Sequence, residues 1–146
     1  MGKKTWSDSY CVGIRKIDAQ HRRLFELIDA LEESLDAPSR FGKQTSALDE
    51  MVDYIQTHFF AEERMMNRHQ YPAYHEHRVL HLDFVRRTLE FQRRFGDDPA
   101  SLTKDVLTFL REWWVGHILG VDMEYKVYFA EQGVLDEVAT EDEDAP

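Results

Sequence analysis

Four stretches of this chain repeat apolar residues at helical spacing, and histidine interrupts the apolar seam of each. The first runs from about Asp18 to Leu35, where Ile17, Leu24, Ile28, Leu31 and Leu35 share a face with His21. The second runs from about Gly42 to Met66. Its seam of Leu48, Met51, Val52, Ile55, Phe59 and Met66 also contains His58 and Glu62. In the third, from about Pro72 to Phe95, Tyr74, Phe84, Phe91 and Phe95 share a face with His77 and His81. The fourth starts near Ser101, read as its N-cap, and reaches about Gln132, just before Gly133. Leu102, Val106, Phe109, Leu110, Trp113 and Ile118 line it, with His117 among them. Residues that recur every three to four positions line one side of an α-helix, so each seam is a face for burial.

Breakers fall between the stretches. Pro38 ends the first, Asn67 to Pro72 reads as a turn, and Gly96-Asp97-Asp98-Pro99 stops the third. Pro72 suits the first position of the helix it precedes. No segment alternates as a strand does. Long amphipathic helices joined by short loops become antiparallel neighbours, so the expected fold is all-α, an up-down-up-down four-helix bundle with an N-terminal arm. At 146 residues and 42% hydrophobic content the chain suffices for one domain with a real core. That domain is expected over residues 1–133. Residues 134–146 are expected to be a solvated, disordered acidic tail, because seven acidic residues and no Lys or Arg fall between Glu131 and Pro146.

The net charge of −10 argues against nucleic acid as a partner. No run approaches the roughly 20 apolar residues that a membrane span needs. The single cysteine, Cys11, permits no intrachain disulfide, which fits a reducing compartment and a cytoplasmic protein. A bundle of this size is expected as a monomer.

The interruptions carry the chemistry. Residues four apart on a helix stand one above the other, so His58 with Glu62, and His77 with His81, can each aim two donors at one place. Either pair alone is a weak signal, and one or two buried histidines can be satisfied by the backbone. Five histidines with a buried carboxylate need a cation, because an unpaired buried carboxylate costs several kcal/mol or loses its charge. Imidazole and carboxylate donors without thiolate suit iron, manganese or zinc, and five imidazoles with two carboxylates suit a pair of iron ions. The oxygen-activating ferritin-like sites use Glu-x-x-His motifs, and this chain has none. Asp122 lies five residues after His117, about 140° out of phase on an ideal helix. It joins the set only where the helix widens locally, and Gly120 between them could allow that.

With these residues in place, the chain resembles the bacterial hemerythrins from Trp6 to about Phe129. The likeness rests on Trp6, His21, the string His58-Phe59-Phe60-Ala61-Glu62-Glu63, Tyr71-Pro72, and the string His77-Arg78-Val79-Leu80-His81. It continues through Trp113, His117-Ile118, Asp122 and Tyr125. The resemblance implies two iron ions bridged by an oxo or hydroxo group. His77, His81 and His117 would hold one and His21 and His58 the other, with one position open for dioxygen. Glu62 and Asp122 would bridge the pair. It implies an oxygen-binding protein for storage, delivery or sensing rather than an enzyme, with nitric oxide or azide as other small ligands. Leu24, Phe59, Trp113, Trp114 and Ile118 would line the oxygen pocket.

One residue departs from the family pattern. A leucine usually stands three positions before the histidine of the last helix, and here that position is Trp114. Residues three apart share a face, so Trp114 is expected above the His117 side of the site. It could fill the pocket, swing aside to offer its N–H to a ligand, or simply pack in the core. A redox-active aromatic near iron supports an alternative function, a di-iron oxidase, peroxidase or nitric-oxide-handling enzyme. His69 and His75 are expected on the surface. Glu63, one helical step from Glu62, is expected to point away from the site.

Overall fold

Each predicted seam becomes the inner face of a helix in the computed structural model, which describes residues 6–36 and 40–138. Helix α1 spans Arg15–Ser34, α2 Arg40–Arg68, α3 Tyr74–Asp97 and α4 Lys104–His117. A π-helical turn, Ile118–Asp122, continues α4 into α5, Met123–Glu131, so the fourth rod of the bundle is one interrupted helix. Helix α1 packs on α2 and on α4, and α2 packs on α3. No strand occurs among the described residues. None of their helices is long and apolar enough to cross a membrane. Pro38 lies outside the described residues.

The helix ends have local causes. Asp18 accepts hydrogen bonds from the backbone N–H groups of Val12 (2.7 Å) and Gly13 (3.3 Å), pinning the N-terminal arm to the first turn of α1. Gly13 sits at φ 87°, a left-handed conformation that few side chains tolerate. The fourth rod is capped not by Ser101 but by Thr103, whose hydroxyl accepts from Val106 N–H. Ser101 belongs to a short 3₁₀ turn opened by Pro99. Pro72 likewise falls in the turn, two residues before α3 begins. At the far end, Gly133 takes φ 72° while Val134 N–H reaches back to Phe129 C=O at 3.0 Å, the double-bonded stop that ends many helices. The chain stays packed beyond it. Val138 is buried beside Val12, Ile14 and Phe129, so the acidic tail does not begin at Val134 as expected. Residues 139–146 lie outside the described part.

The interior has two apolar clusters with a polar layer between them. One cluster gathers Leu24, Ile28, Ile55, Phe59, Phe84, Leu110, Trp114 and Ile118, among others. The other gathers Ile17, Met65, Met66, Tyr71, Tyr125 and Phe129. On every rod the histidines and carboxylates fall where the chain passes from one cluster to the other. Helix α4 also buries Arg111, which donates to Asp29 (2.7 Å) and Glu32 (3.1 Å) of α1. That pair of carboxylates satisfies a charge that would otherwise destabilise the bundle.

Candidate metal centre

The polar layer consists of seven residues drawn from four rods: His21 of α1, His58 and Glu62 of α2, His77 and His81 of α3, and His117 and Asp122 of the fourth rod. None is more than 4% exposed. Their donor atoms form two groups, Glu62, His77, His81, His117 and Asp122 in one, and His21, His58 and Glu62 in the other, each within 4.8 Å throughout. All seven residues singled out from the sequence are therefore brought together. His69 and His75 stay outside; His75 is exposed and His69 packs on Phe129.

The carboxylates are arranged to face both groups. Glu62 Oε1 lies 3.1 Å from His77 Nε2 and 3.0 Å from His81 Nε2, whereas its Oε2 lies 3.6 Å from His21 Nε2 and 3.5 Å from His58 Nε2. Asp122 Oδ1 lies 3.0 Å from His77 and 3.1 Å from His117, and Oδ2 lies 3.1 Å from His21. Asp122 reaches this place because of the π turn, which widens the helix by the part-turn that ideal spacing lacks. A Cβ added at Gly120 would meet nothing within 4 Å, so the widened turn has room for a side chain there.

Short distances here do not mean satisfied hydrogen bonds. Both Asp122 oxygens, His21 Nε2 and His58 Nε2 are buried without a hydrogen-bond partner. His77 Nε2 and Glu62 Oε1 do form a hydrogen bond at 3.1 Å, but around Asp122, His21 and His58 the nitrogens and oxygens approach each other without one, as donors directed at a shared third atom do. Buried polar atoms are rarely left this way. Two imidazole nitrogens, His81 Nε2 and His117 Nε2, also face each other at 3.2 Å, where at most one can carry the proton between them. The residues present thus fit a cation, and their mix of imidazole and carboxylate without sulfur fits a first-row metal such as iron.

Titration follows the same layout. Burial alone would push His21 down, but Asp122 and Glu62 beside it carry it up to about 9. His77 rises against the same burial to about 10, again through Asp122 and Glu62. His58, buried and less closely paired, falls to about 3 and presents a neutral ring. Burial opposes ionisation of both carboxylates, yet the surrounding imidazoles hold them well below the usual range. The two carboxylates that raise His21 and His77 are thus placed to stabilise positive charge in the layer, as they would a bound cation.

Outward-facing contacts set the ring orientations. His58 Nδ1 donates to Gln20 Oε1 at 2.7 Å and His81 Nδ1 to Glu63 Oε2 at 2.8 Å, which leaves each Nε2 lone pair facing inward. Tyr125, fully buried, donates its O–H to Glu62 Oε2 at 2.8 Å. Glu63 points away from the layer as expected, but sequence reasoning gave neither it nor Gln20 a partner. Glu63 is on the flank of α2, and the antiparallel neighbour α3 brings His81 round to meet it. The pairing could have been anticipated only from the register of the two helices.

Trp114 also departs from expectation. It lies not over the His117 side but closer to the other group, edge-on to His21 and to His58 with ring centroids 5.4 Å away in both cases, against 6.4 Å to His117. Its N–H donates to the His21 carbonyl at 3.4 Å, and its side chain is buried. Trp113 instead stacks on His117 at 4.6 Å and on Phe84 at 3.7 Å, and Phe59 stacks on His81 at 3.7 Å. Leu24 and Ile118 are buried in the same apolar cluster as Trp114.

Known proteins are similar to this chain in sequence and fold. Residues 12–128 match the family model described as the hemerythrin HHE cation binding domain. The chain is 34% identical over 127 residues to a bacteriohemerythrin of Stenotrophomonas maltophilia, covering 86% of this chain and 80% of that protein. It is 33% identical over 121 residues to a hemerythrin-like protein of Naegleria gruberi, covering 83% and 89%. A crystal structure of wild-type hemerythrin superimposes with a TM-score of 0.79 at 26% identity, covering 86% of this chain and 96% of that one. Four rods carrying one buried layer of imidazoles and carboxylates, and a family match over most of the chain, place this protein in the hemerythrin family.

Proposed function

We propose that the chain binds dioxygen reversibly at a pair of iron ions, for storage, delivery or sensing. His77, His81 and His117 would hold one ion, His21 and His58 the other, and Glu62 and Asp122 would serve both. The observation that carries this reading is the division of each carboxylate, one oxygen toward each group of histidines. Two iron ions with a bridging oxo or hydroxo group would supply the two electrons that a dioxygen molecule takes up and returns.

The side chains do the rest. His58 offers a neutral Nε2 because burial keeps its proton off and Gln20 fixes the tautomer. Tyr125 holds Glu62 by the oxygen facing His21 and His58. Trp114, Phe59, Leu24 and Ile118 belong to the apolar cluster next to the layer and would exclude water from a ligand bound there. The side with two histidines has one protein donor fewer, which is where a small ligand, dioxygen or else nitric oxide or azide, would enter.

The test is an absorption spectrum of the iron-loaded, anaerobically reduced protein, recorded before and after dioxygen and again after purging. A charge-transfer band that appears with dioxygen and disappears on purging is the expected result. A prompt ferric spectrum that does not reverse would replace this reading with a di-iron redox enzyme.

A further inference from the structure

Behind the two groups of histidines the charges are unequal. His81 Nδ1 meets the Glu63 carboxylate at 2.8 Å, whereas His58 Nδ1 meets the uncharged Gln20 amide at 2.7 Å. The Nδ1 atoms of His21 and His77 are buried with no hydrogen-bond partner. Glu63 is 19% exposed, so water screens its charge only in part. Its other oxygen lies 3.4 Å from Arg78 Nε, a cation that is half exposed and correspondingly weak as a partner.

We infer that Glu63 is a positioning and tuning residue that acts through His81 as a third carboxylate of the centre, giving the His77, His81 and His117 side the more electron-rich environment. This rests on the di-iron reading above. A carboxylate that accepts the Nδ1 proton fixes the ring and makes the opposite nitrogen a better donor. It therefore tightens metal binding and favours the higher oxidation state on that side. The charge balance agrees. Two divalent ions against Glu62, Asp122 and a bridging hydroxide leave one positive charge in a buried site, and Glu63 offsets it. Among the described residues, no such anion meets His58 Nδ1, because Gln20 orients the ring without adding charge.

The test compares Glu63→Gln, Gln20→Glu and Arg78→Ala with the wild type. Three readouts are taken: bound iron per chain, Fe(II) affinity by chelator competition, and the one-electron reduction potential of the iron-loaded protein. Glu63→Gln keeps the shape and an accepting oxygen but loses the charge. It is expected to weaken Fe(II) binding about tenfold or more. It should also shift the oxidation equilibrium about tenfold toward the reduced form, a rise of about 59 mV in potential. Gln20→Glu should lower the potential, and Arg78→Ala should leave affinity and potential close to wild type, as loss of an exposed pair does. If the wild type holds two ions and Glu63→Gln changes neither affinity nor potential, the role of Glu63 is overturned. If Arg78→Ala matches Glu63→Gln in both, Glu63 is only an inter-helix ion pair and the role is again overturned. A wild type that binds no pair of metal ions overturns the di-iron reading first, and with it this role.

Discussion

The two sides of the buried layer are built from the same parts and end up different. One side has three imidazoles because α3 places His77 and His81 four residues apart, stacked on one face, and the fourth rod adds His117. The other has only His21 and His58, one from each of two helices, with the edge of Trp114 beside both rings. The difference teaches how a four-helix bundle makes an asymmetric site. An i, i+4 pair from a single helix completes one side, and the side without such a pair is left a donor short. The shared carboxylates keep the sides coupled, so each variant below asks whether they stand or fall together.

Glu62→Gln should have the largest effect, because Glu62 faces two imidazoles on each side, whereas Asp122 faces two on one side and one on the other. The amide keeps one oxygen and turns an N–H₂ toward whichever side it abandons. Bound iron should fall from two ions per chain to one or none by metal analysis, with a loss exceeding the ~10–100-fold typical of outer partners. A variant that retained both ions would mean that Asp122 alone couples the sides.

His58→Leu should separate the sides. It removes one of two imidazoles on the poorer side and leaves the His77, His81 and His117 group intact. Iron content should drop to about one ion per chain while the helical signal persists. His81→Leu should be worse than His58→Leu, because it breaks the richer side and also strands the partly buried Glu63. Equal losses in the two variants would contradict the asymmetry.

Most of this layer was legible in the sequence, for a physical reason. Histidines inside apolar seams are conspicuous because burying them has a cost, and helical period alone puts His21, His58, Glu62, His77, His81 and His117 on inner faces. What period cannot supply is a change of period. Asp122 is out of phase until the π turn at Ile118–Asp122 brings it in, and nothing in the apolar pattern marks that turn. Partners set by helix register were hidden as well. Glu63 is directed away from its own helix's core yet toward His81 of the next one, and Trp114 leans toward α1 and α2 rather than along its own rod to His117. The helix starts were missed for a smaller reason. Ser101 and Thr103 both suit an N-cap, and the 3₁₀ turn at Pro99 uses up the first of them.

Trp114→Leu tests whether the poorer side is poorer by design, since the indole occupies the space next to it. Dioxygen association, followed by stopped flow, should become faster, with iron content unchanged. Unfolding of the metal-free protein should become easier by about 2 kcal/mol, the scale of large-to-small changes in a packed core. An unchanged association rate would reduce Trp114 to a packing residue whose N–H merely ties α4 to the His21 carbonyl.

Gly120→Ala should have the smallest effect and sharpens the account of Asp122. Glycine in the π turn suggests at first sight that the widening needs a residue without a side chain. Its φ is not left-handed and an added Cβ would touch nothing, so the cause must lie elsewhere, in the pull of three imidazoles on one carboxylate. Alanine should then hold the same turn, keep two ions per chain, and stabilise the fold by up to about 1 kcal/mol through a less flexible unfolded chain. Loss of one ion in Gly120→Ala would show the reverse, that the backbone freedom of glycine is what lets Asp122 face both sides.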